Sequence, residues 1–183
     1  MLNIQHFTKT YGEKRAVDDL SLHIAPGEIY GFIGHNGAGK TTTLKAAVGI
    51  PAAERWARIE PYADAFELTG DLGQPISAYS HGMKQKLAII AAWIHDPKLI
   101  IMDEPFVGLD PKAAHLLKGM MRELCDVGGA IFFSTHVLEV AEKLCDKVAI
   151  IKGGRLIRSG TMEEVKGDDS LEDVFLELED ASC

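Results

Sequence analysis

The sequence predicts an α/β fold, a mostly parallel central sheet flanked by helices, on three observations. Three runs are apolar nearly throughout, Leu99 to Met102, Ala130 to Phe133 and Val148 to Ile151, as suits strands covered on both faces. Segments of helical periodicity separate them, the alternation that builds a parallel sheet. The third observation is Gly34-His35-Asn36-Gly37-Ala38-Gly39-Lys40-Thr41-Thr42, a G-x-x-x-x-G-K-[ST] loop between an apolar strand, Ile29 to Ile33, and a helix, Thr42 to Val48. Its glycines let backbone N–H groups turn in on a phosphate with no Cβ in the way. The helix adds the partial positive charge of its N-terminus, Lys40 a point charge for the β and γ phosphates, and Thr41 a hydroxyl for Mg²⁺. Taken alone, the loop says nucleoside triphosphate and no more.

The elements follow in order. Residues 1–7 alternate like a strand, and Leu20, Leu22 and Ile24 alternate with polar residues up to a Pro26-Gly27 turn, which predicts an antiparallel edge. Met83, Leu87, Ile90, Ala91 and Ile94 fall on one helical face that ends at His95-Asp96-Pro97. Asp110 is an N-cap with Pro111 at the first helical position, and Ala114, Leu117, Met121 and Leu124 make a buried stripe before Gly128-Gly129. Val137, Val140, Ala141 and Leu144 repeat the pattern. Lys152-Gly153-Gly154-Arg155 reads as a hairpin turn, and Thr161 to Glu164 as a capping box.

With 183 residues and 46% hydrophobic content, the chain suits one core and one domain, residues 1–183. A net charge of −8 argues against a nucleic-acid surface, which needs a basic stripe, but not against ATP. The N-terminal residues lack the apolar core of a signal peptide, and no apolar run approaches the length of a membrane span. A membrane role must then come through a partner. Cys125, Cys145 and Cys183 show no metal-ligand spacing, which points to reduced cytosolic thiols.

Leu99 to Pro105 places Asp103 and Glu104 at the end of a buried strand, the edge where ligands bind in an open α/β sheet. Asp103 suits Mg²⁺, and Glu104 can orient or deprotonate an attacking water. On this strand alone the pair reads equally as two solvated acids opening a loop; beside the phosphate loop the ligand reading is the stronger. Tyr79-Ser80-His81-Gly82-Met83 opens the amphipathic helix, an anion-receptive N-terminus and equally an ordinary capped helix start.

The order of the phosphate loop, Tyr79 to Met83, Met102-Asp103-Glu104-Pro105, Gly108-Leu109-Asp110-Pro111 and Ser134-Thr135-His136 resembles an ABC transporter ATP-binding subunit over nearly the whole chain. The family signature is usually Leu-Ser-Gly-Gly-Gln, where this chain has His81 and Met83 at the third and fifth positions. That variant, with the ending Ser170 to Phe175, is similar to a prokaryotic exporter-like subclass. The resemblance implies a P-loop NTPase fold, with the loop as its Walker A motif, antiparallel N-terminal strands and a helical subdomain. It implies Tyr11 stacking on adenine, Asn36 to Thr42 on phosphate, Thr41 and Asp103 on Mg²⁺, Glu104 as base and His136 as the histidine that touches the γ-phosphate. Ser80 and Gly82 would act in trans on ATP held by a second subunit, identical or not, with Asp110 communicating across the interface. The partner would be an integral-membrane permease, and the subunit would sit at the cytoplasmic face of the membrane. On residue grounds alone, Tyr11 is as well a surface ring, Asp110 a plain N-cap and His136 a helix-start histidine.

The interval from residue 43 to 79 is too short for the family pattern. There the family holds antiparallel strands, a loop with a glutamine that contacts Mg²⁺ and water, and most of the helical subdomain. The stretch from Pro51 to Leu68, with Trp56, Ile59, Ala63 and Phe66 at helical spacing, resembles only that subdomain's last helix, so residues 51–95 read as its truncated remnant. Gln74 lies too near Ser80 to be the missing glutamine. Either the deletion is real, or a segment is absent near Ile50-Pro51; the intact flanks favour the second, which predicts Cα atoms there far beyond ~3.8 Å apart. Alternative functions are a soluble ABC-type ATPase not tied to transport, and a nucleotide-binding module with little turnover.

Overall fold

A computed structural model describes residues 2–11, 14–33 and 52–180. Two strands open the chain, β1 (Leu2–Tyr11) and β2 (Lys14–Ile24), paired antiparallel as the alternation predicts. Gly27, in the turn after β2, takes φ +83°, which favours glycine. The chain then enters β3 (Ile29–Ile33). After it come helix α1 (Ala52–Ala65), two short 3₁₀ turns, helix α2 (His81–Trp93) and β4 (Leu99–Asp103). Helix α3 (Pro111–Asp126), β5 (Ala130–Thr135), helix α4 (Leu138–Leu144), β6 (Lys147–Lys152) and β7 (Arg155–Thr161) follow, then helices α5 (Met162–Lys166) and α6 (Leu171–Asp180).

Five of these strands form one sheet in the order β4-β5-β3-β6-β7. The three apolar runs are its strands β4, β5 and β6, all parallel with β3 as expected, and β7 returns antiparallel through the predicted hairpin. That turn has φ +56° at Gly153 and +81° at Gly154, the positive pair that a two-residue hairpin of matching twist requires.

The two faces of the sheet are covered differently. Ile29, Ile131, Phe133, Val148 and Ile150 face a core shared with helices, including Leu117 and Met121 of α3 and Ala141 of α4. The alternate residues Tyr30, Ala130, Phe132, Ala149 and Ile151 pack against Leu20, Leu22 and Ile24 of β2. Among the described residues, then, helices cover one face and the antiparallel pair covers the other. Continuous apolar runs report two buried faces but not what buries them.

Three helical readings shift in detail. In α2 the buried residues are Ile89, Ile90 and Trp93, while Ala91 is exposed. Ile89 and Trp93, four apart, share a ridge, and Ala91 two residues on points away from it. In α1, Ala63 and the following Phe66 are buried, but Trp56 is 56% exposed, because burial begins a turn later at Ile59. In α3 the buried set is Ala113, Leu117, Met120, Met121 and Cys125, with Ala114 and Leu124 half-buried at its margin. Asp110 caps α3 through Ala113 N at 2.8 Å, and Thr161 and Glu164 form the capping box.

Cys125 and Cys145 are free and buried. Burial pushes the Cys125 thiol up to about 11 and raises that of Cys145 as well, so neither is a ready thiolate at neutral pH.

Candidate active site

Parallel register brings the functional strand ends into one row. Ile33, where β3 leaves the sheet toward the phosphate loop, pairs with Thr135, and Asp103 pairs with Ser134. The carboxyl ends of β3, β4 and β5 therefore share the edge at which α/β sheets bind ligands. Residues 34–51, with Asn36, Gly37, Ala38, Gly39, Lys40, Thr41 and Thr42, lie outside the described residues, as does the Ile50-Pro51 junction. Tyr11 ends β1, paired with Lys14 in backbone register.

Asp103 and Glu104, adjacent in sequence, are held by one buried side chain. Ser134, 1% exposed, donates its hydroxyl to Asp103 Oδ1 in a short hydrogen bond. The same hydroxyl oxygen accepts from Glu104 N at 3.1 Å, and Ser134 O accepts from that N–H at 3.1 Å. Ser134 thus serves both acids at once.

Glu104 adopts φ +49°, a left-handed conformation uncommon for a residue with a Cβ. Such strain costs of order 1–3 kcal/mol and persists only where surroundings over-determine it. Here a turn bond from Val107 N to Glu104 O, 3.1 Å, and the two bonds of its own N–H do so. The conformation leaves the side chain mostly buried, with Oε1 out of contact with solvent and Oε2 2.9 Å from His136 Nδ1. His136 N also lies 3.4 Å from Oε2, so the histidine meets the carboxylate with ring and backbone alike. Its ring is 55% exposed, open to a ligand at the sheet edge.

A second cluster forms where α2 meets the loop from Pro105 to Asp110. Ser80 N-caps α2 by accepting from Met83 N at 3.2 Å and is exposed. Gly82 sits so close to this loop that a Cβ on it would lie 2.6 Å from Gly108 O. Gly108 in turn, at φ +79°, leaves room for the His81 ring, which a Cβ there would approach to 2.5 Å. Lys86 of α2, its side chain only 15% exposed, reaches Asp110 Oδ2 at 2.8 Å. That contact first, and the cap bond from Ala113 second, hold the Asp110 carboxyl below the usual carboxylate range. Between these contacts, Gln85 Nε2 donates to Pro105 O at 3.0 Å.

Apart from Tyr11 at the end of β1, the described candidates fall into two groups: Asp103, Glu104 and His136 at the strand ends, and Ser80, Gly82 and Asp110 along the rim of α2. Sequence reasoning gave no role to Ser134, although a small polar residue at the end of an apolar strand, Ala130-Ile131-Phe132-Phe133-Ser134, was its signal. Gln85 and Lys86, which follow the signature in Lys84-Gln85-Lys86-Leu87 and add to the subclass resemblance, receive no role of their own from the sequence, because polar residues on an amphipathic helix read as its wet face.

Known proteins resemble this chain in sequence and in fold. Residues 17–55 match the family described as "ABC transporter", and residues 48–142 match one described as "AAA domain, putative AbiEii toxin, Type IV TA system". An ABC transporter ATP-binding protein of Methanocaldococcus jannaschii runs through both stretches, 32% identical over 206 residues, 90% of this chain and 79% of its own. The chain belongs to the ABC transporter ATP-binding protein family. Nod factor export ATP-binding protein I of Paraburkholderia xenovorans is 34% identical over 206 residues, covering 83% of this chain and 68% of its own length. Both alignments are longer than the 183 residues available here, so these ABC relatives carry residues within the aligned interval that this chain lacks. Among solved structures, an ATP-binding subunit of an ABC transporter superposes with TM-score 0.86 at 28% identity, over 97% of this chain and 98% of that one. The cbiO1 protein of Clostridium perfringens, part of the ABC transporter complex cbiONQ, shares the fold with TM-score 0.70 at 21% identity. Among the described residues no helix is long and apolar enough to cross a membrane.

Proposed function

We propose that this chain hydrolyses ATP as the motor subunit of a membrane transporter, docking on an integral-membrane permease at the cytoplasmic face and pairing with a second ATP-binding subunit. The observation that carries the reading is the Glu104–His136 contact at the carboxyl edge, 2.9 Å, beside the point where the chain leaves β3 for the phosphate loop. A carboxylate held there by a histidine and by strained backbone is arranged for catalysis rather than for stability.

In the proposed chemistry a water attacks the γ-phosphorus in line, and Glu104 orients it and accepts its proton. His136 Nδ1–H fixes the Glu104 carboxylate; a γ-phosphate oxygen can only accept, so Nε2 would meet it as a second N–H donor, with both ring nitrogens protonated. Lys40 neutralises phosphate charge, the backbone amides from Asn36 to Thr42 cradle it, and Tyr11 stacks on the adenine. Asp103 fits Mg²⁺: it is a hard oxygen donor at an exposed strand end, oriented by the Ser134 hydroxyl, and the ion takes one or two such carboxylates with phosphates and water. Thr41 would supply the second protein oxygen. Bound there, Mg²⁺ neutralises charge on the phosphates.

Ser80 and Gly82, on the exposed rim, would close over ATP held by the second subunit, with Asp110 at the shared interface. The chain is read as one domain, with residues 51–95 the remnant of the helical subdomain and the residues carried by the relatives falling near 50–51. That shortfall also favours a second reading, a nucleotide-binding module with little turnover. Phosphate release by the intact protein, alone and with its co-purifying permease, separates the two. Turnover abolished by Glu104→Gln supports the motor; no turnover in either preparation leaves the binding module.

A further inference from the structure

Helix α2 holds the loop after β4 at three successive points: Gln85 on Pro105 O, Gly82 against Gly108, and Lys86 on Asp110. The first lies one residue beyond Glu104. Pro105 has no N–H, so its carbonyl is the only backbone group of that residue through which a hydrogen bond can fix it. Pro105 is buried and Gln85 half-buried. Buried carbonyls need a partner, and the Gln85 amide, 3.0 Å away, is one.

We propose that Gln85 is a positioning residue for Glu104, its amide clamping Pro105 O and so holding the left-handed backbone that aims the carboxylate at His136. The proposal rests on Glu104 acting as the base. Ser134 already holds Glu104 through two bonds to its N–H and Val107 N holds its carbonyl; Gln85 adds a hold on the next residue, Pro105. With that bond lost, the turn at Glu104 relaxes toward an ordinary conformation, and the carboxylate leaves a position where displacement by about 1 Å costs on the order of 10²-fold. The contact also links the helix that begins at Ser80 to the catalytic carboxylate within one subunit. Glu104 can thereby sense what that helix touches.

The test compares Gln85→Leu, of similar size but without a donor, in the full-length protein with and without Glu104→Gln. The expected result is a kcat lower by about tenfold or more, with the KM and Kd for MgATP within about twofold of wild type. In the Glu104→Gln background the same change should cause no further fall, because residues acting as one unit are non-additive. An equal fall in both backgrounds, or an unchanged kcat, overturns the proposal. Gln85→Glu keeps length and polarity while presenting a carboxylate that cannot donate, so it serves if the leucine variant fails to fold. The same loss is expected of it, and wild-type turnover would overturn the positioning role. Full turnover by Glu104→Gln alone would instead remove the base assignment, and this proposal with it.

Discussion

At the strand ends, Asp103 and Glu104 draw their partners from buried Ser134 of the neighbouring strand and from His136 just beyond its end. Along the rim of α2, Ser80 and Asp110 use their oxygens to cap helices and remain exposed. The first region is complete within one chain; the second is a well-braced surface whose proposed ligand must come from elsewhere. A substitution at the strand ends should therefore be felt by the chain that carries it. One at the rim should be felt by its neighbour.

The largest effect is expected at the strand ends. Glu104→Gln should slow phosphate release by roughly 10²–10⁴-fold while ATP binding, followed by equilibrium titration, stays near wild type. Normal turnover would return Asp103 and Glu104 to the status of solvated acids. The rim is probed next by mixing: Ser80→Arg and Glu104→Gln proteins, each inactive alone, should regain measurable turnover when combined, since one composite site then has both intact halves. No recovery under conditions where the wild type is dimeric would locate Ser80's effect in its own subunit.

Smaller effects separate bracing from chemistry. Gly82→Ala drives a Cβ toward Gly108 O, a backbone atom 2.6 Å away that cannot swing aside, and should destabilise by about 1–3 kcal/mol in denaturant titration. Stability equal to wild type would mean that α2 and the loop are not pressed together. Outside both regions, Thr161→Ala removes one N-cap and should cost about 1 kcal/mol with ATP turnover unchanged. The smallest effect concerns pH. Asp110 and Glu67 are held below the usual carboxylate range chiefly by hydrogen bonds from Lys86 and Lys112. A depressed folded-state pKa gives stability that is present above the unfolded value and lost as pH falls through the folded one. The rim should thus loosen below about pH 4, and Lys86→Met should flatten part of that acid dependence of Tm. Parallel acid profiles for the two proteins would break the link.

Features written in local chemistry were legible in the sequence. The Asp110 cap with Pro111, the Thr161 capping box and the Gly153-Gly154 turn each depend on a few adjacent residues, and each was found where predicted. The parallel strands were legible from their unbroken apolar runs. What covers the second face of the sheet was not, since Tyr30 and Phe132 meet Leu20 and Ile24 only through tertiary packing. The same limit hid Ser134, whose role exists because parallel register sets it opposite Asp103. Trp56 misled through spacing alone, which marks a helical face but not how far along it the core extends. Asp103, Glu104 and His136 could be named from motif order, yet the left-handed backbone at Glu104 could not, because its N–H is held by Ser134 of β5, 30 residues away in sequence, together with the turn bond from Val107.

Cys145 lies against the central strand of the sheet, its Sγ 2.7 Å from where a Cβ on Gly31 would stand. Cys145 caps the C-terminus of α4, so an alkylating reagent can reach that buried sulfur once the helix layer lifts from the face of β3. The thiol therefore acts as a clock for that opening: its labelling rate, read by peptide mapping, times the parting of the helices from the strand that feeds the catalytic edge. MgATP should slow that clock in proportion to how firmly it ties the layers together.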